Sequence, residues 1–136
     1  MELGIVLAKK ENKQEKVSFT PDEAKFLKES RLARLATVSP SGQPHVVPIG
    51  FEFDGMFFHF GGYNITKSLK FKNIQRNNKV GLVVDDLVST NPWTPRFIII
   101  RGTAEILTET GPGSIDQNTS IKITPLVKRS TFGRSI

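Results

Sequence analysis

The apolar positions of this chain change period several times, and each change marks an element. Residues 9–16, Lys-Lys-Glu-Asn-Lys-Gln-Glu-Lys, carry no apolar period. Residues 1–18 are therefore expected to form a flexible lead-in before one domain spanning 19–136. Order begins at Phe19-Thr20-Pro21-Asp22-Glu23. Thr20 suits a helix N-cap, Pro21 the first helical position and Glu23 the reciprocal site of a capping box. Phe19 and Ala24 suit the apolar staple around that cap, and the helix should reach about Ser30 with Phe26 and Leu27 inside.

Beyond Ser30 the signals are those of strands. Leu32, Leu35 and Val38 lie in a run closed by the turn cluster Ser39-Pro40-Ser41-Gly42. Pro44 to Phe53 reads as a second strand, Asp54-Gly55 as a two-residue hairpin and Met56 to Phe60 as the antiparallel return. A basic helix is predicted from about Thr66 to Arg76, with Leu69 and Ile74 toward the core. Val80 to Val84 is nearly continuous in apolar residues, which predicts a strand buried on both sides. Asp85 to Pro95, with two prolines and Trp93, reads as a long loop, and Phe97 to Leu107 as a long strand. Thr108 to Thr119 contains Gly111-Pro112-Gly113 and reads as a loop. In the last strand, Ile121 to Ser130, Pro125 implies a bulge or an edge. Six antiparallel strands with one helix before them and one inserted predict a mainly β chain, a small β-barrel with a few helices.

Composition then narrows the chemistry. The 136 residues include no cysteine, which removes disulfides, thiolate zinc sites and a cysteine nucleophile together. No apolar stretch approaches the roughly 20 residues that span a bilayer. Leu3 to Ala8 is too short for a signal peptide, and its lysines follow it. A cytoplasmic location with no membrane partner is expected. The two histidines, His45 and His59, lack H-x-x-H or H-x-x-E spacing, so no metal site is expected and both read first as structural. Asp85 and Asp86 are adjacent; on a strand they would point to opposite faces, and at a strand end they would favour a turn. No Gly-x-Ser-x-Gly elbow is present. With so little catalytic equipment in side chains, an enzyme built on this chain would draw its chemistry from a cofactor.

Charge points to where that cofactor would sit. Residues 1–60 carry eight Lys/Arg and eight Asp/Glu, whereas residues 61–136 carry eleven and five, so the net +6 lies wholly in the second part. It begins just after Gly61-Gly62, which closes the Met56 to Phe60 strand and leads to Thr66, Lys67 and Lys70. A strand ending in glycines and feeding a basic helix can cradle a phosphate, because a helix start offers free N–H groups and a partial positive charge. The same residues also suit a strand-to-helix turn with lysines for solubility. Pro48 inside His45-Val46-Val47-Pro48-Ile49-Gly50-Phe51 removes a ladder donor and implies an edge or a bulge. An edge leaves backbone amides free for the polar rim of a planar ring, or it is simply a protected edge. The sequence pI near 9.8 raises the question of nucleic acid, but the aromatics fall within strand patterns rather than among exposed cations, so no nucleic-acid partner is expected.

These segments resemble the pyridoxamine-phosphate-oxidase-like (PPOX-class) split β-barrel flavoproteins, and more closely their branch that uses the deazaflavin coenzyme F420. The matching text is Arg34-Leu35-Ala36-Thr37-Val38, Gly42-Gln43-Pro44 through Phe51, and Gly61-Gly62 through Lys67. It continues in Val83 to Leu87, Asn91-Pro92-Trp93-Thr94-Pro95-Arg96 and Arg101-Gly102-Thr103-Ala104-Glu105. The resemblance implies a six-stranded antiparallel split barrel and a homodimer with cofactor sites at the subunit interface. It implies a hydride-transferring oxidoreductase using coenzyme F420 or FMN on a small conjugated or quinone-like substrate; a non-catalytic flavin or deazaflavin carrier is the alternative. Residue by residue, it sets Val47, Pro48 and Ile49 against the ring, with backbone N–H groups near Pro48 to Gly50 on its polar edge. Thr66 and Lys67 would hold the phosphate, with Gly61 and Gly62 shaping the approach and Lys70 assisting from one turn on. Trp93 would reach a partner's site or fill the core. The family's C-terminal Ser-Trp-Gly has no match in Ser130-Thr131-Phe132-Gly133, which loses the indole donor.

Overall fold

A computed structural model of the chain describes residues 17–108 and 119–132. Most of the lead-in (1–16), the body of the Thr108 to Thr119 loop (109–118) and Gly133 lie outside the described residues. Helix α1 (Pro21–Glu29) starts as its sequence requires: Thr20 Oγ1 accepts from the Glu23 amide at 3.2 Å and Glu23 Oε1 accepts from the Thr20 amide at 2.9 Å. Phe26 and Leu27 are buried on its inner face. Strands follow as β1 (Leu32–Val38), β2 (Pro44–Gly50), β3 (Glu52–Phe53) and β4 (Phe58–Phe60). A 3₁₀ turn (Ile65–Lys67) and helix α2 (Leu69–Arg76) lead to β5 (Lys79–Thr90), β6 (Trp93–Thr108) and β7 (Thr119–Ser130).

All seven strands join one antiparallel sheet in the order β2-β1-β5-β6-β7-β4-β3. The two end strands, β2 and β3, are consecutive in the chain and separated by Phe51 alone. One residue cannot span the width of a seven-stranded sheet at about 4.8 Å per strand. The sheet must therefore curl until its ends are neighbours, which makes it a half-barrel around the apolar core. This also explains why seven strands replace the six expected. The run Pro44 to Phe53 is continuous in sequence, yet it leaves β1 after Gly50 and joins β4 at Glu52, with Phe51 buried at the switch.

Other expectations are corrected by local geometry. Asp85 to Pro95 is not a loop: β5 and β6 continue as a hairpin to a turn at Asn91-Pro92, with a bulge between Leu87 and Ser89. Pro95 is tolerated because, among the described residues, no third strand pairs with this part of β6. Asp85 and Asp86 therefore belong to a strand and make no turn. The Asp54-Gly55 hairpin turn is four residues long rather than two, since Phe53 pairs with Phe58 and β4 begins later than expected. The basic helix starts at Leu69 with Ser68 as its cap, and this phase turns Phe71 and Ile74 inward and leaves Leu69 half-exposed. Val80, Leu82 and Val84 are buried, but Gly81 and Val83 between them are only partly so; β5 has one core face. Pro125 does sit at a bulge, where Arg101 pairs with Val127 and Gly102 with Pro125. The chain is so close there that a Cβ on Gly102 would collide with the Thr124 carbonyl.

Candidate functional site

Among the described residues, edge strand β2 pairs only with β1, so one side of its backbone has no ladder partner there. Its side chains alternate. His45, Val47 and Ile49 share the inner face, opposite Thr37, Leu35 and Ala33; His45 and Val47 are partly buried and Ile49 is buried. Val46, Pro48 and Gly50 are exposed on the outer face. Val47, Pro48 and Ile49 thus cannot offer three side chains to one surface; what they share is the strand's open backbone edge. Pro48 sits in that edge without breaking the register to β1.

The second predicted group follows β4. Gly61 abuts the start of β7, where a Cβ would come within 3.3 Å of the Thr119 carbonyl. Gly62 has φ +139°, a conformation that disfavours side chains, with open space around it. Asn64 is left-handed at φ 58°, and buried Ile65 anchors the 3₁₀ turn that carries Thr66 and Lys67. Lys67 is thus at the end of this turn, not in the first turn of an α-helix. Helix α2 begins one residue later, where Ser68 Oγ accepts from the Phe71 amide at 3.3 Å. Lys67 is exposed and Lys70 partly buried; neither has an ion-pair partner among the described residues. Between Asp54 and Asp85 the chain contains Lys67, Lys70, Lys72, Arg76 and Lys79 and no acid, which leaves this stretch uncompensated.

One buried hydrogen bond links the two groups. Asn73 Nδ2 on α2 donates to Thr37 Oγ1 on β1 at 3.0 Å, and both residues are almost fully buried. Thr37 lies opposite His45 at the start of β2. The helix that follows Thr66 and Lys67 is therefore pinned one strand away from the inner face of β2, whereas Gly61 and Gly62 lie at β7.

Three polar clusters were not foreseen. Buried Glu23 accepts from Lys128 Nζ at 2.7 Å and from Ser130 Oγ at 2.5 Å, tying α1 to β7. Burial pushes its carboxyl up, but the bonds from Lys128, Ser130 and the Thr20 amide outweigh burial and leave it below the usual range. Asp86 and Arg96 face each other across the β5–β6 hairpin in a two-point ion pair, and the Arg96 guanidinium lies 4.9 Å from the Phe26 ring and 6.0 Å from the Phe132 ring. Their hydrogen bonds lower the Asp86 pKa and raise that of Arg96. Asp54 accepts from the Met56 and Phe57 amides and contacts His59 Nε2 at 2.8 Å. Partial burial opposes its ionisation, yet these bonds hold its pKa at about 2. Phe132 packs on Phe26 at 4.9 Å, and Trp93 is 69% exposed, which overturns the core reading of that residue. The signal for Asp86–Arg96 was available: both lie five residues from Asn91, so a hairpin centred there pairs them. Glu23 and Asn73 carried no such signal, because their partners are distant in the chain.

Among the described residues no group of three or more His, Asp or Glu could hold a metal ion, and no helix is long and apolar enough to cross a membrane.

Comparison with known proteins follows the same lines. Residues 19–113 match the family model described as pyridoxamine 5′-phosphate oxidase. Over 91 residues the chain is 38% identical to the 5a,11a-dehydrotetracycline/5a,11a-dehydrooxytetracycline reductase of Streptomyces rimosus. That match covers 65% of this chain and 64% of the reductase, so the chain spans somewhat less than two thirds of its relative's length. Among solved structures, an F420 reductase superposes with a TM-score of 0.62 at 24% identity, covering 77% of this chain and 94% of that one. A FAD-binding protein from Mesorhizobium loti superposes with a TM-score of 0.63 at 18% identity, covering 81% and 92%. At those identities the superpositions establish a common fold.

Proposed function

We propose that this chain, which belongs to the pyridoxamine 5′-phosphate oxidase family, is an oxidoreductase that binds coenzyme F420, or failing that FMN, and moves a hydride to or from a small conjugated or quinone-like substrate. The observation that carries the proposal is the edge of β2, which has no ladder partner on one side among the described residues, contains Pro48 and is flanked by an apolar inner face. The reductase activity named for the Streptomyces rimosus relative supports the reaction class and a conjugated substrate. The F420 reductase and the FAD-binding protein among the structural neighbours support a deazaflavin or flavin ligand alike.

The residues present fit such a group. Lys67 and Lys70 are cations without an ion-pair partner among the described residues, in a stretch without acids, and suit a phosphate and further carboxylates. Gly61 and Gly62 keep the approach to them free of side chains, with open space beside Gly62. Thr66 would add a hydroxyl to that cradle. Backbone N–H groups between Val47 and Gly50 would meet the polar rim of the ring, while Val47 and Ile49 would exclude water from its apolar side. The hydride chemistry is supplied by the bound ring itself. The side chains bind and orient; no proton donor is assigned. In this reading residues 19–136 form one split-barrel domain that works in the cytoplasm as a homodimer, with its cofactor sites between the subunits.

The test is side-by-side binding of FMN and coenzyme F420 to cofactor-stripped protein, followed by hydride transfer to a panel of enones and quinones. Tight F420 binding with turnover is the expected outcome. Tight binding without transfer would favour a carrier, and binding of neither would refute the proposal.

A further inference from the structure

A second concave surface is built from elements that the proposed cofactor site does not use. Val17 and Phe19, which lead into α1, line it together with Met56 and Phe57 of the β3–β4 turn and Thr124 and Pro125 of β7. The cavity they share has a volume of about 460 Å³, within the range of small-molecule sites. Its walls are held by bonds of their own. Asp54 Oδ1 accepts from the Met56 amide at 2.9 Å and from the Phe57 amide at 2.7 Å. Lys128 Nζ donates to the Ser18 carbonyl at 2.7 Å, which ties down the segment leading into α1. The cavity is thus preformed and mainly apolar, and Met56 in its wall is 58% exposed.

One cation borders this cavity. Lys122 of β7 stands in register between His59 of β4 and Glu105 of β6. Its ammonium nevertheless has no ion-pair partner among the described residues, Glu105 included. It lies instead 4.0 Å from the centroid of the Phe57 ring, which is part of the cavity wall. A ring face attracts the charge without using up its N–H donors in hydrogen bonds to an anion. Thr124, two residues along the same face of β7, adds a hydroxyl. The acid of the turn, Asp54, is engaged by its two amides and by His59 Nε2 at 2.8 Å.

An apolar cavity bordered by one unpaired ammonium and one hydroxyl matches a molecule with an apolar body and a single acid group. We propose that this cavity binds an amphipathic monocarboxylate, with the carboxylate on Lys122 and Thr124 and the apolar body against Val17, Met56 and Pro125. A neutral molecule of the same shape would bury the apolar walls equally but leave the ammonium without its anion, so the charge supplies the selectivity. None of these residues belongs to the proposed cofactor site, and the two readings stand or fall separately.

Amide NMR of the full chain, titrated with octanoate and separately with octan-1-ol, tests this. Octanoate should saturate with a dissociation constant of about 1 mM or tighter, and the shifts should fall at residues 17–19, 55–57 and 122–124. Octan-1-ol should bind roughly fivefold or more weakly. Lys122→Gln should abolish that preference, and Lys122→Arg, which keeps the charge, should retain most of it. Val17→Asp, which sets a like charge in the apolar wall, should weaken octanoate by roughly tenfold or more. Equal binding of acid and alcohol by the wild type would overturn the inference, whatever the variants do. Octanoate shifts centred outside these three segments, or unchanged octanoate affinity in a folded Lys122→Gln variant, would overturn it as well.

Discussion

Replacing Glu23 with alanine should destabilise this protein by about 2–4 kcal/mol, and the figure follows from what its carboxylate holds. The substitution removes one half of the capping box of α1, worth about 1 kcal/mol. It also removes the carboxylate that Lys128 pairs with, and breaking a buried pair typically costs about 3–5 kcal/mol when the orphaned charge stays buried. The Lys128 side chain is 23% exposed, so its ammonium can turn to water and avoid roughly half of that cost. At roughly 2.1 cal/mol/K per residue, 136 residues unfold with about 0.29 kcal/mol/K, and a loss of 3 kcal/mol lowers Tm by about 10 °C. Urea denaturation should show a shifted midpoint with an unchanged slope. Glu23→Gln keeps the acceptor of the box and should lose about half as much. The pH dependence has a definite sign. The folded-state pKa is depressed, so the stabilisation is complete above the ordinary value of 4.5 and is lost as pH falls through the lowered one. The gap between wild type and Glu23→Ala should therefore be full at pH 7 and shrink in acid below about 4.5. A gap under about 0.5 kcal/mol at pH 7 would refute the reasoning, since it would mean that desolvation cancels the bonds.

Lys67→Ala should weaken F420 or FMN binding by roughly 1.5–3 kcal/mol, the loss of a charged hydrogen bond, with the melting curve unchanged; equal affinity by fluorescence titration would remove Lys67 from the phosphate cradle. Arg96→Ala should cost about 1–2 kcal/mol, mostly from its stacking on Phe26 and Phe132, because the exposed pair with Asp86 contributes only about 0.5–1 kcal/mol in a double-mutant cycle. Gly62→Ala should cost about 1–3 kcal/mol in chemical denaturation, because φ +139° strains any side chain even where space is free; a neutral result would show that the turn relaxes.

What the sequence made legible was local. The capping box of α1 needs only residues within one turn, and Thr20, Pro21 and Glu23 appear in order. The edge character of β2 was readable from Pro48, and the bulge of β7 from Pro125, because proline's missing donor acts at its own position. The hairpin arm was misread since Pro92 and Pro95 look like loop residues until a turn centred on Asn91-Pro92 is tried. The phase of α2 was misread for a similar reason. Whether Leu69 or Phe71 faces inward depends on Ser68 acting as the cap, a one-residue choice that apolar spacing alone leaves open. Glu23 bonding Lys128 and Asn73 bonding Thr37 were out of reach, because no period in the chain relates residues brought together by the curl of the sheet.

The two candidate segments belong to different parts of the sheet, an end strand and the helix packed on its neighbour. An open strand edge invites pairing with other chains, and proteins commonly blunt it with proline or charge. Here Pro48 lies within β2, where it removes one backbone donor from an end strand of the sheet. Asn73 then fixes α2 on the neighbouring strand, and with it the one stretch of the chain that has five cations and no acid. Truncating either Asn73 or Thr37 would leave the other's buried polar group without this partner and loosen the helix that follows Lys67. If the proposed site is right, substitutions at Pro48 and Asn73 should disturb ligand binding and stability together, whereas Lys67 should disturb binding alone.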